Sequence, residues 1–115
     1  MTACASRPER SLAVAVGAGG NVLCLENGQA SHVRVAGAPD FSSVALDVIG
    51  RAWAGAAGEL WFSENGGKDW RRVWHDPSWQ APFVSIFADV GMVFAATADG
   101  AVLECRATLS QILAS

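Results

Sequence analysis

The chain repeats itself at an interval of about 40 residues, and this repeat limits the folds open to it more than any other feature. Shifted by 42 residues, Ser43, Val44, Ala45, Leu46, Asp47 and Val48 fall on Ser85, Ile86, Phe87, Ala88, Asp89 and Val90. The same shift, without a gap, puts Ala54 on Ala96, Gly58 on Gly100 and Leu60 on Val102. Shifted by 38, Val16, Gly17, Ala18, Gly19 and Gly20 fall on Ala54, Gly55, Ala56, Ala57 and Gly58. Glu26, Asn27 and Gly28 then fall on Glu64, Asn65 and Gly66, His32 on Trp70, and Val35 on Val73. Turn glycines and apolar positions match together, which defines three units.

The middle unit is complete. Strands are expected at residues 44–48, 51–55, 59–63 and 69–74. The breaks between them carry turn residues: Gly50, then Ala57 and Gly58, then Asn65, Gly66 and Gly67. Asn-Gly is a strong hairpin signal because both residues tolerate positive φ. The second strand, with Ala52, Trp53, Ala54 and Gly55, is apolar on both faces and mostly small. Its counterparts are 12–16 and 93–97. Such a strand lies between two layers, and four-stranded units of this length describe the blade of a β-propeller. The expected fold is all-β, a β-propeller-type repeat of two and a half to three four-stranded antiparallel blades at 12–38, 41–76 and 83–106.

The first unit shows strands at 12–16, 22–25 and 32–36 but no clear first strand, so residues 1–11 read as a loose N-terminal tail. The last unit lacks a clear fourth strand. Leu109, Ile112 and Leu113 have helical spacing, which leaves residues 107–115 as a short helix or an edge strand.

Composition excludes several classes. With 51% hydrophobic and 17% charged residues in a chain of 115, a packed core is expected rather than disorder. A net charge of −3 offers no general attraction to nucleic acid or to an anionic membrane surface. No apolar run reaches the roughly 18 residues of a membrane helix, and the first ten residues lack the pattern of a secretory signal. Cys4, Cys24 and Cys105 are odd in number and widely spaced, without metal-ligand spacing. A reducing compartment is favoured, hence the cytoplasm.

Gly58, Glu59, Leu60, Trp61 and Phe62 lead into Ser63, Glu64, Asn65, Gly66, Gly67, Lys68, Asp69 and Trp70. This stretch resembles the Asp-box, or bacterial neuraminidase repeat, in which Ser, Asp, Gly and Trp recur at set spacing on a hairpin between the third and fourth strands of a blade. Ser63, Gly67 and Trp70 match, and Asn65 stands where Asp is usual. The first unit has Leu25 and His32 in place of the Ser and Trp. The resemblance covers residues 12–106. It extends to sialidases, sortilin-type receptors, xyloglucanases and photosystem II assembly-factor-like propellers, and residues 51–58 look most like the last group. What it implies is a fold, with Ser63, Asn65, Gly66, Gly67 and Trp70 as structural residues.

The chemistry of the box-bearing enzymes is missing. Sialidases use a Tyr nucleophile, and this chain has no Tyr. They also need three converging arginines, whereas Arg51, Arg71, Arg72 and Arg106 occupy unrelated repeat positions. Asp47 and Asp89 occupy equivalent positions on different blades, each before a turn, and read as turn residues rather than a glycosidase pair. Residues 16–20 have the glycines of a dinucleotide loop, but a strand follows where a helix should start. No cofactor, metal or catalytic residue is therefore expected, and the chain reads as no enzyme. Its leading function is a non-catalytic binding or assembly scaffold. The alternative is a carbohydrate-binding module or a non-functional remnant of a glycoside hydrolase propeller. A protein partner or self-association is expected, because fewer blades than the four to eight of a closed propeller leave apolar faces bare. The link between units two and three is the longer of the two links and holds Trp79 between two prolines, with His75 and Asp76 before it. Loops on a rigid scaffold often carry binding, so these three residues are the candidate site.

Overall fold

A computed structural model describes residues 3–47, 50–89 and 92–106. Three antiparallel sheets follow one another along the chain. The first contains β1 (Ala3–Arg7), β2 (Leu12–Val16), β3 (Asn21–Glu26) and β4 (Gln29–Arg34). The second contains β5 (Ser43–Leu46), β6 (Ala52–Ala56), β7 (Glu59–Ser63) and β8 (Arg71–His75). The third contains β9 (Phe83–Asp89), β10 (Met92–Thr97) and β11 (Val102–Arg106). In each sheet the strands pair in chain order, as hairpins joined by short turns require. Residues 107–115, expected as helix or edge strand, lie outside the described residues.

The N-terminal reading needs correction. Residues 3–7 are no loose tail: they form β1, paired along its whole length with β2, Ala3 opposite Val16 and Arg7 opposite Leu12. The signal was weak because Ser6 and Arg7 interrupt the apolar pattern. Arg7 Nε reaches out of the sheet to the carbonyl oxygen of Leu46 at 3.0 Å. β1 packs on β5, and β5 on β9, so the first strands of the three sheets line one side of the stack.

Packing between sheets explains the burial pattern. β6, in the middle sheet, is buried at every position. β2 and β10 alternate between buried and half-buried, because each belongs to an end sheet with one face uncovered. The doubly buried second strand expected of all three units therefore occurs only in the middle one. Against the first sheet the middle one packs Val44, Leu46, Ala52, Ala54, Ala56 and Trp61. Against the third it packs Ala45, Trp53, Leu60 and Phe62. Each large side chain sealed this way contributes about 1.5–3 kcal/mol.

The ungapped repeat alignment misplaces the second strands by one residue. Ser43 pairs with Gly55 and Ser85 with Ala96, so Gly55, not Ala54, is the counterpart of Ala96. A one-residue slip turns every side chain to the opposite face. Turn lengths differ between units, and the alignment keeps register on the first strands, where Ser43 and Ser85 correspond, and recovers it on the third, where Leu60 and Val102 do.

Candidate functional site

Two of the loops on the middle sheet bear on a site, and each has a distinct build. The first joins β7 to β8. Although it reads as a tight turn in the sequence, it spans residues 64–70 and brings Phe62 opposite Arg71. Ser63 Oγ accepts from the Gly67 N–H at 2.9 Å and donates to Asn65 Oδ1 at 2.9 Å. Asn65 Oδ1 also accepts from the Asp69 N–H at 2.9 Å, while Asn65 Nδ2 donates to Asp69 Oδ2 at 2.7 Å. Trp70 Nε1 donates to the Gly67 carbonyl oxygen at 2.6 Å. The loop thus supplies its own hydrogen-bond partners, as a closed turn with few backbone pairs must.

This loop also clasps two sheets. Gly67 has φ 101°, and a Cβ there would sit 3.1 Å from Cys24 Sγ and 3.2 Å from Val14 Cγ2 in the first sheet. Burial raises the pKa of the Cys24 thiol, so it stays protonated and apolar. Trp70 packs on Phe41 with ring centroids 5.8 Å apart. Lys68 Nζ lies 3.5 Å from Glu26 Oε2 on the exposed rim, a contact of small energy. Ser63→Ala removes a buried donor and acceptor together and is expected to cost about 1–3 kcal/mol, read as a lower urea midpoint at unchanged slope.

The turn in the first sheet is a different object. Asn27 (φ 52°) and Gly28 (φ 79°) form a two-residue hairpin between paired Glu26 and Gln29. It is not a worn copy of the 63–70 loop. His32, aligned with Trp70 by the repeat, sits inside β4 opposite Leu23 and hydrogen-bonds Asn21 at 3.0 Å.

The second loop carries the candidate binding residues. The Asp76 N–H donates to the Gly58 carbonyl oxygen at 2.9 Å, and the Trp79 N–H to the Asp76 carbonyl oxygen at 3.1 Å. Asp76 Oδ1 accepts from the Ser78 N–H at 3.0 Å and from Ser78 Oγ at 2.7 Å. These bonds hold the Asp76 carboxyl below its ordinary pKa. Trp79 meets Trp74 edge-on at 5.3 Å and Phe83 at 5.7 Å. The indole is thus packed on residues of β8 and β9. Trp79 also lines a cleft of about 250 Å³ with Ser78, Gln80, Ala81, Thr97, Asp99 and Ala101. His75 is exposed at the end of β8 and does not line it.

Thr97, Asp99 and Ala101 were not singled out in the sequence. They come from the β10–β11 turn, where Thr97 Oγ1 donates to Asp99 Oδ1 and accepts from the Ala101 N–H at 3.1 Å. The Thr97 bond is the main cause holding the Asp99 carboxyl below its ordinary pKa, so the cleft that Trp79 lines carries a negative charge. The Thr-x-Asp-Gly turn pattern was visible, but its meeting with Trp79 depends on how two sheets stack. Asp47, which invited comparison with Asp89, is fully buried and bonds Arg51 through both the backbone N–H at 2.9 Å and Nε at 2.6 Å. It is a turn residue in an ion pair; the Asp89 side chain lies outside the described ones. Among the described residues no group of three or more His, Cys, Asp or Glu could hold a metal ion. No described helix is long and apolar enough to cross a membrane.

Three consecutive antiparallel sheets, stacked face to face with their first strands on one side, define an all-β protein of the β-propeller type. Among solved structures the chain is similar to YCF48 from Cyanidioschyzon merolae, with a TM-score of 0.70 and 19% identity over 90% of this chain. It spans 36% of that protein's length. The computationally designed Ika4 protein overlaps with a TM-score of 0.43 and 13% identity, over 92% of this chain and 90% of the design, which is too low to carry a fold argument. No family profile matches the sequence, and no curated protein matches it.

Proposed function

We propose that the chain is a non-catalytic binding or assembly scaffold made of Asp-box-like propeller blades. The observation that carries this reading is the build of the 76–82 loop. Its backbone is tied to Gly58 and its indole to Trp74 and Phe83, so Trp79 is presented in one position beside the cleft. A pre-ordered aromatic loses little entropy on binding and serves well as an anchor. The carboxylates around it are spent on turns: Asp76 on Ser78 and Asp99 on Thr97. The fold likeness to YCF48 supports a propeller scaffold, as does the 63–70 loop, whose hydrogen bonds close the turn while Gly67 packs against the first sheet.

The second reading is carbohydrate binding. An indole in one cleft with the carboxylate of Asp99 and the polar Ser78 and Gln80 is chemistry that suits a sugar. One experiment separates the two. A photo-crosslinking residue at exposed position 80 is expected to give a discrete protein adduct in the source cell, lost on Trp79→Ala with folding checked by circular dichroism. Glycan-array binding lost on Trp79→Ala and Asp99→Ala would move the function to the sugar reading. Neither signal would overturn both.

A further inference from the structure

Among the described residues the two end sheets of the stack present uncovered faces, and most of their positions follow the pattern of the faces packed inside the molecule, with Glu104 in place of Phe62 as the exception. Each sheet has a front, toward the preceding sheet, and a back, toward the following one. Inside the molecule the back of the second sheet offers the rows Ala45–Trp53–Phe62 and Ser43–Gly55–Leu60. The uncovered back of the third sheet offers Phe87–Phe94–Glu104 and Ser85–Ala96–Val102 at the same positions. The front of the second sheet offers Val44–Ala54–Trp61 and Leu46–Ala52–Ser63. The uncovered front of the first offers Cys4–Ala15–Leu23 and Ser6–Ala13–Leu25.

A size rule runs through the second strands. Every front places alanine at the centre: Ala15, Ala54 and Ala95. Every back places a larger residue there: Val14, Trp53 and Phe94. Bulky on small is how both internal contacts close, with Val14 and Trp53 buried. The bare back of the third sheet therefore fits the bare front of the first. Phe87 is 62% exposed, Val102 61% and Leu25 40%, and all three lie on these two faces.

We infer that two copies of this chain associate head to tail, the back of each third sheet on the front of the partner's first sheet. Two copies of the three described sheets give six, within the roughly four to eight blades at which a propeller ring closes. A back-to-front contact that closes on itself yields a ring of defined size rather than a filament. The contact uses neither Trp79 nor its cleft, so it stands or falls apart from the binding reading above.

Light scattering on the full chain is expected to give twice the chain mass, constant over a dilution series until dissociation. Phe87→Glu and Ala15→Arg each poison one face. Each variant alone is expected to run at the single-chain mass with an unchanged β circular-dichroism spectrum. Mixed in equal amounts they are expected to regain the double mass, because one intact back meets one intact front. A wild-type chain at the single mass, as further blades or residues 107–115 covering the faces would give, overturns the proposal. So does a mass that grows without limit, a variant that stays paired, or a mixture that stays apart.

Discussion

Asp47→Ala is expected to lower the unfolding free energy by about 3–5 kcal/mol, the usual cost of removing one partner from a buried ion pair. The Asp47 side chain is fully buried and that of Arg51 is 7% exposed. Asp47 Oδ2 lies 2.6 Å from Arg51 Nε, and Oδ1 accepts from the Arg51 N–H. Asp47 also fixes the backbone around this turn, where its own N–H donates to the Arg51 carbonyl oxygen at 2.9 Å and its carbonyl oxygen accepts from the Gly50 N–H at 3.1 Å. Without the carboxylate, the guanidinium stays out of water with its charge uncompensated. A domain of this kind has about 5–15 kcal/mol in total, so the variant stands near the edge of folding at room temperature. Urea unfolding followed by circular dichroism reads the loss. A shift below about 1 kcal/mol, the range of exposed pairs, would show that the pair is solvated in practice.

Gly58→Val is expected to cost about 2–4 kcal/mol and to displace the Trp79 loop. Gly58 has φ +67°, a conformation that β-branched residues avoid. A Cβ at this position would also sit 2.5 Å from the Asp76 carbonyl oxygen and 2.7 Å from that of Trp79. Both obstacles are backbone, so no side-chain rotation relieves them. The loop must lift, which breaks the Asp76 N–H bond to Gly58 and frees Trp79 from Trp74 and Phe83. Trp emission shifts to longer wavelength as the indole becomes hydrated, alongside a lower melting temperature. Unchanged emission would mean that the loop does not rest on Gly58. The same residue that turns β6 into β7 thus shapes the candidate site one loop away.

Much of the fold was legible because its signals are local. Gly and Asn at turns, and short apolar runs between them, located β5 to β8 and β10 to within a residue or two, since positive φ and strand length are set by neighbours in sequence. The exception that teaches most is β1. Ala3 and Ala5 carry little apolar signal, and β1 becomes a strand by pairing with β2 and packing on β5. Residues 26–28 and 64–66 show the opposite failure. Both read Glu-Asn-Gly, yet one is a two-residue hairpin and the other part of a wider loop, because Ser63 and Trp70 are present only in the second.

The candidate site was half legible. Trp79 was singled out by its setting between prolines, and it does line a cleft. His75 does not reach it, and Asp76 acts on Ser78 within the loop. Thr97 and Asp99 stood too far along the chain to be joined to Trp79 by spacing.

By itself the sequence determined the class of fold: the repeat interval and the turn residues follow from residue identity. Tertiary structure alone decided which side of each strand faces which sheet. Side chains alternate with a period of two, so a single added turn residue, as between Gly55 and Ala96, exchanges inside for outside. Only the stacked sheets show that Phe87 and Val102 stand bare where Ala45 and Leu60 are covered.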